Sequence, residues 1–329
     1  MASTEALTQA LAQLEREHGF SGAILVSRRG EVDFEQAYGL ASRQLDVPNT
    51  LTTKFHIASV TKMFIAMAAL VLCEQGRLAL RERPGTYTPE LLALDNEITL
   101  HHLLSHTSGI PEVYEVPDLR FTMQKRKAEH RSLLSFLVDL PPLFRPGEGW
   151  RYSSSGYILM GYVMERATGL SFEELMQRYV LAPLSMTNTG TDLPRRINRG
   201  RASGHSVENG RFVNADDDEL SIFAEAPGEL YTTVQDLKQW CDAMFDCPLV
   251  SPQTLQLLFT PHERVDAVRQ YGYGWFLTPR FRMHGGETPG FRALIRQYPE
   301  QRLSAILLFN CDHVQPWTIC NAIEPLLLA

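Results

Sequence analysis

From Met63 to Cys73 the chain reads Met-Phe-Ile-Ala-Met-Ala-Ala-Leu-Val-Leu-Cys, with no polar residue to mark a solvent side. The helical pattern that contains this run spans Ala58 to Gln75, and Gly76 stands where a helix C-cap is expected. A helix that is apolar all round must be enclosed. The run is too short to cross a bilayer. It therefore reads as a helix buried in a large core, which 329 residues at 44% hydrophobic content can supply as one big domain or two interleaved ones.

The segments around that helix set the fold class. Leu7, Leu11 and Leu14 share one face of a first helix. Ser21 to Val26 and Val32 to Tyr38 read as strands joined at Arg28-Arg29-Gly30, a hairpin turn. Strand patterns return at Tyr271 to Leu277, Phe281 to His284, Phe291 to Tyr298 and Leu303 to Phe309, and a helix over about Pro316 to Leu328 closes the chain. Between them lie loops rich in Pro and Gly, with helical stretches at His101 to Leu104, Ser132 to Val138 and Ser171 to Leu184, and a helix start at Thr233 with Asp236 three residues on. The expected fold class is α/β (α+β): an antiparallel sheet flanked by helices, with an inserted, mostly helical region. Residues 1–82 and 225–329 would form the α/β domain and 83–224 the insertion. Periodicity supports the elements; it does not prove that the two ends pair.

Charge narrows the partners. A net charge of −7 argues against nucleic acid or an anionic membrane, which call for a basic face. Lys125 to Lys127, the arginines at 195, 196, 199 and 201, and Asp216 to Glu219 read as solvated loop faces. Five cysteines, an odd number with no C-x-x-C, suit reduced thiols in a cytoplasm. Met1 to Phe20 carries Glu5, Glu15, Arg16 and Glu17 and lacks the apolar core of a secretory signal. The expected location is cytoplasmic, with no cofactor.

Three segments carry chemistry. In Ser59-Val-Thr-Lys62, a spacing of i, i+3 on a helix stacks the lysine over the serine. A serine hydroxyl needs a neighbour to take its proton. Met63, Phe64, Ile65 and Ala66 would desolvate an ammonium, which is how a lysine becomes a base near neutrality. The helix N-terminus adds free N–H groups that favour developing negative charge. The four-residue pattern is common, and its plain alternative is an N-capping serine with a snorkelling lysine. Composition sharpens it: Lys54, Lys62, Lys125, Lys127 and Lys238 are the only lysines among 31 basic residues, and arginine could not serve as a base. In Tyr152-Ser153-Ser154, ahead of a helix, a tyrosine can relay protons beside an ammonium, and Ser154 can bond a lysine or a substrate carbonyl; a capping cluster is the bland alternative. In His284-Gly285-Gly286-Glu287, at a strand end, glycines let a substrate lie against the strand and expose N–H donors of the kind that form an oxyanion hole; a simple turn is the alternative. His102 and His106, spaced i, i+4, lack the intervening acid and a third ligand for zinc, so packing is the better reading and no metal is expected. No G-x-S-x-G elbow occurs.

These segments, in this order, resemble the serine β-lactamase and penicillin-binding-protein superfamily, in its class C β-lactamase-like branch of esterases, D-amino-acid peptidases and transacylases. His102-Leu-Leu-Ser-His-Thr-Ser-Gly-Ile-Pro111, Tyr152 to Gly161 and Leu230 to Leu237 extend the resemblance over most of the chain. It implies Ser59 as the acylated nucleophile, Lys62 as its proton partner, Tyr152 as the tyrosine of a Y-x-N motif, and His284, Gly285 and Gly286 as an H-x-G form of the K-T-G strand. The implied oxyanion donors are the N–H groups of Ser59 and Glu287. Ser154 in place of the motif asparagine, and His284 in place of a lysine, weaken the case for amide-bearing antibiotics and for substrate carboxylates. The expectation is a serine hydrolase acting through an acyl-enzyme on a small-molecule ester, amide or peptide: an esterase, a D-amino-acid peptidase or amidase, or a weak β-lactamase. The alternative is a catalytically silent binding or scaffold protein on the same fold.

Overall fold

The two ends of the chain share one sheet. The computed structural model describes residues 4–115, 134, 137–138, 140–193, 196–215 and 229–329. The basic cluster at Lys125 to Lys127, Arg195, the acidic run Asp216 to Glu219 and most of the helix expected over Ser132 to Val138 lie outside those residues.

In chain order, helix α1 (Thr4–His18) precedes β1 (Gly22–Arg28), β2 (Glu31–Tyr38), β3 (Leu40–Ser42), β4 (Val47–Pro48) and β5 (Phe55–His56). A 3-10 turn (Ala58–Val60) runs into α2 (Thr61–Glu74). Then come α3 (Leu100–Ser105), α4 (Ser154–Thr168), α5 (Phe172–Met176), β6 (Gly190–Thr191), β7 (His205–Glu208), β8 (Arg211–Asn214) and β9 (Leu230–Thr232). They are followed by α6 (Val234–Ala243), α7 (Pro252–Leu258), β10 (Glu263–Arg264), β11 (Gln270–Tyr271), β12 (Phe276–Leu277), β13 (Arg282–Thr288), β14 (Phe291–Tyr298), β15 (Leu303–Phe309) and α8 (Pro316–Leu328).

Among the described residues the main sheet has eight strands, in the order β10-β11-β12-β13-β14-β15-β1-β2. Its closure is the antiparallel pairing of β1 with β15, from Gly22 opposite Phe309 to Arg28 opposite Leu303. Alternation then sorts side chains onto two faces. Ile24, Val26, Leu303, Leu307 and Phe309 pack with Leu7 and Leu11 of α1 and Ile319, Ile323 and Leu327 of α8. Leu25, Ile306 and Leu308 face the opposite core, with α2 and α6. Both faces are covered, which is why β1 and β15 are buried along nearly their whole length.

Helix α2 is buried from Thr61 through Leu72, as an all-apolar helix demands, and Phe64 stacks on Trp240 of α6 at 4.1 Å. Gly76, at φ +68°, ends it. Thr233 caps α6, its hydroxyl accepting from the Asp236 N–H at 3.1 Å. Three expected elements differ. The strand expected over Phe281 to His284 runs on as β13 to Thr288, so the segment from His284 to Glu287 lies within the strand and not at its end. The run Tyr271 to Leu277 is two short strands around a tight turn, closed by Gly272 N–H donating to Trp275 O at 2.9 Å. The alternation of aromatics with glycines mimics a strand, but Gly274 takes φ +73°, and a Cβ there would come within 2.8 Å of the Lys62 carbonyl. The helix expected over Ser171 to Leu184 breaks after Met176 into a π turn over Gln177–Leu181. No helix among the described residues is long and apolar enough to cross a membrane.

Candidate active site

The 3-10 turn delivers Ser59 to the mouth of α2, and Lys62 follows on the first helical turn. Lys62 is 6% exposed, and its Nζ donates to Ser59 Oγ at 3.0 Å. A second hydroxyl meets it from another part of the chain: Lys62 Nζ lies 3.3 Å from Ser154 Oγ. Ser154 is the first residue of α4, whose N-cap is Ser153, accepting from Gly156 N–H at 3.4 Å. The lysine amine thus bridges two serine hydroxyls. Its third neighbour is the Tyr152 ring, whose centroid is 5.0 Å from Nζ, a cation–π distance.

The Tyr152–Ser154 loop is clamped by the segment that begins at His106. His106 ends α3 in a left-handed conformation at φ +62°. Its Nδ1 accepts the Ser153 N–H at 3.1 Å, and its ring packs 4.5 Å from Tyr152. Glu112 Oε2 accepts the Ser154 N–H at 2.5 Å. Ser155 Oγ donates to Pro111 O at 2.6 Å, and Val113 N–H donates back to Ser155 Oγ at 2.9 Å. Burial, then the nearby Lys62 and His284, hold His106 well below the usual histidine range, so it is a neutral acceptor. His102 does not join it. The His102 Nδ1 turns back to accept the Thr99 N–H at 3.2 Å and caps α3 instead. No cluster of three His, Cys, Asp or Glu among the described residues could hold a metal ion.

His284 closes the far wall. It is 2% exposed, and burial, with Lys62 second, pushes its imidazole down to about 3. Its Nδ1 lies 2.6 Å from Gly285 O and must donate to it. That leaves Nε2 as an acceptor for the Tyr271 hydroxyl at 3.3 Å. His284 is therefore uncharged and fully committed. Phe276 completes the wall, stacked on Tyr152 at 6.3 Å and 5.4 Å from His284.

One edge of β13 faces this space. β12 pairs only with Arg282 and Met283, so among the described residues no strand of the sheet covers that edge from His284 to Thr288. The Pro289-Gly290 turn fixes which amides point there. Proline has no N–H, so Thr288 and Phe291 must be the hydrogen-bonded pair that closes the turn. The next pair, Glu287 with Arg292, is then non-hydrogen-bonded, and the Glu287 N–H points to the open edge. The Glu287 side chain is half exposed, with Oε2 3.8 Å from Arg292 Nε, and does not join Lys62. Gly286 lies against the serine turn itself: a Cβ there would sit 2.1 Å from Ile57 O.

Ser59, Lys62, Tyr152, Ser154 and His284 therefore converge, Gly286 abuts the turn, and Glu287 contributes backbone. Sequence reasoning assigned no role to Glu112, Tyr271 or Phe276 and left His106 to packing. Only His106 carried a local signal, through its place in the His-Thr-Ser-Gly-Ile-Pro run.

A family model described as Beta-lactamase matches residues 7–323. The chain belongs to the beta-lactamase family. Membership makes it, in general class, a serine hydrolase related to penicillin-binding proteins. Penicillin-binding protein 4* of Bacillus subtilis is 26% identical over 321 residues, covering 90% of this chain and 69% of that protein. A penicillin binding protein from Bacillus halodurans superimposes with a TM-score of 0.85 at 26% identity, over 96% of this chain and 99% of that one. An octameric penicillin-binding protein homologue from Pyrococcus abyssi, 24% identical, shares the fold at a TM-score of 0.85 over 98% of this chain and 77% of its own.

Proposed function

We propose that this beta-lactamase-family protein hydrolyses small ester or amide substrates through an acyl-enzyme on Ser59. The observation that carries the reading is the Lys62 amine bridging Ser59 Oγ and Ser154 Oγ at 3.0 and 3.3 Å in a buried setting. With Lys62 as the free amine, the Ser59 proton passes to Nζ as Oγ bonds to the substrate carbonyl carbon. The carbonyl oxygen takes the negative charge, facing the N–H groups of Ser59 and Glu287. Collapse expels the alkoxide or amine, which receives a proton from Lys62, through the Ser154 hydroxyl or Tyr152. Water then attacks the ester, losing its proton to the same lysine, and frees the acid and Ser59.

The neutral His284 supports substrates without a carboxylate at that position, because it brings no positive charge to the β13 edge. Esterase or D-amino-acid amidase activity fits this better than rapid β-lactam turnover. Intact-mass spectrometry after exposure to a fluorophosphonate, p-nitrophenyl esters and a cephalosporin tests the reading. A single adduct that disappears in Ser59→Ala is expected. No adduct with any reagent, or one that survives Ser59→Ala, would overturn it. Relative rates on short esters and D-amino-acid amides then choose between the two activities.

A further inference from the structure

The turn that aims Ser59 is held in a conformation it would not choose. Ile57 takes φ −112° and ψ 1°, and Ala58 takes φ +44°, a left-handed value that side-chain-bearing residues avoid. Ala58 immediately precedes Ser59, so its torsions direct both the Ser59 hydroxyl and the Ser59 N–H. Such strain persists only where the surroundings over-determine it. Two restraints are backbone contacts. Ile57 N–H donates to Leu230 O at 3.0 Å, and Ile57 O accepts from Val60 N–H at 3.1 Å while lying against Gly286.

The third restraint is a side chain. Ala58 N–H donates to Nδ1 of His56 at 3.2 Å. The His56 side chain is 1% exposed, and its ring lies 5.9 Å from that of Phe291. An accepting Nδ1 places the ring proton on Nε2, and Nε2 lies 2.7 Å from Glu229 Oε2, a close contact in which the ring N–H is not aligned on the oxygen as in a hydrogen bond. Glu229 is anchored in turn: its carbonyl accepts the Asp192 N–H at 3.0 Å, and it directly precedes the Leu230 that holds Ile57.

We propose that His56 and Glu229 are a positioning pair for the nucleophile. Glu229 orients the His56 imidazole, and the imidazole holds Ala58 left-handed, which sets the direction of Ser59. An acid-oriented histidine here serves a backbone amide and takes no proton from the serine, a role left to Lys62. The proposal rests on Ser59 being the nucleophile.

The test compares His56→Ala, His56→Asn, Glu229→Ala and Glu229→Gln in the full chain, by steady-state kinetics on p-nitrophenyl acetate, fluorophosphonate labelling rate, and amide hydrogen exchange over residues 55–62. His56→Ala and Glu229→Ala should lower kcat by about 10- to 100-fold, the effect of displacing a reacting group by about 1 Å. KM should stay within about 2-fold, because only transition-state alignment is lost. Glu229→Gln keeps an oxygen packed against Nε2 and should stay within about 3-fold of the parent, and His56→Asn, offering Oδ1 to Ala58, should recover part of the loss. Exchange at Ala58 and Ser59 should accelerate in His56→Ala. If that variant does not fold, the two Glu229 variants decide. Parent-like kcat and exchange in both alanine variants would overturn the pair, and equal losses in Glu229→Gln and Glu229→Ala would overturn the orienting role. If the parent forms no Ser59 adduct, the hydrolase reading fails, and the exchange pattern alone still decides whether the pair holds the turn.

Discussion

Gly286→Ala is the sharpest test of how the site is assembled. The added methyl would start 2.1 Å from Ile57 O, 3.0 Å from Ile57 C and 3.3 Å from the Ala58 Cβ. A carbon and a carbonyl oxygen tolerate about 3.3 Å, so β13 and the serine turn must separate by about 1.2 Å. Neither side can yield through a flexible side chain, because the nearest atom is backbone. Overpacking of this kind costs about 1–3 kcal/mol of stability. The same displacement moves the Ser59 and Glu287 amides apart, and about 1 Å at a reacting centre costs about 100-fold in rate. Gly285→Ala is the internal control, since its Cβ would meet only Ala293 O at an ordinary 3.6 Å. Both variants would be followed by thermal melting and by the burst and steady-state phases of p-nitrophenyl acetate hydrolysis. The expected result is a melting point lowered by several degrees and an acylation rate down about 100-fold for Gly286→Ala, with the Gly285→Ala melting point near the parent. Parent-like acylation in Gly286→Ala would refute the claim that β13 and the serine turn form one rigid cradle.

Lys62→Met keeps the buried volume and removes the amine; fluorophosphonate labelling of Ser59 should slow by about 100- to 10,000-fold, and labelling at the parent rate would remove Lys62 from the mechanism. Ser154→Ala takes one of two hydroxyls from the lysine and should lower kcat on esters by about 10-fold or more, with little change in KM. Glu112→Ala should lower kcat and melting point together by freeing the Ser154 N–H, whereas Glu112→Gln retains an acceptor and should restore most of both; equal defects would mean that the charge, not the hydrogen bond, matters. His284 and His101, pushed by burial to about 3 and about 4, bind protons more readily in the unfolded chain between those values and about 6.5. Their contribution to stability is thus complete above about pH 6.5 and is lost as pH falls toward 4 and 3, at up to about 1.4 kcal/mol per pH unit for the fully buried His284 and less for the partly exposed His101, whose charge water screens. Urea midpoints at pH 7, 6 and 5 check this, and His284→Asn should make the decline shallower.

Much of this molecule could be read directly from its residues. The apolar run of α2 determined a buried helix, because no arrangement of that segment offers water a polar face. Leu303 to Phe309 and Phe291 to Tyr298 stood out as strands and are strands with those bounds. The i, i+3 spacing of Ser59 and Lys62 placed them together on a helix start, where local geometry leaves little freedom. Tyr271 to Leu277 misled because period-two alternation also arises when aromatic residues alternate with turn-forming glycines.

What the chain alone could not decide lies in contacts between distant segments. The pairing of Gly22 with Phe309, Ser154 meeting Lys62 across 92 residues, and Glu229 meeting His56 depend on how covered sheet faces and helix ends come to rest. The charge of His284 is likewise a property of the folded environment: sequence names the imidazole, but only burial against Tyr271, Phe276 and Lys62 makes it neutral. Local spacing determines which groups can react. Their direction and protonation are decided by desolvation and by hydrogen bonds that exist only once the core has closed.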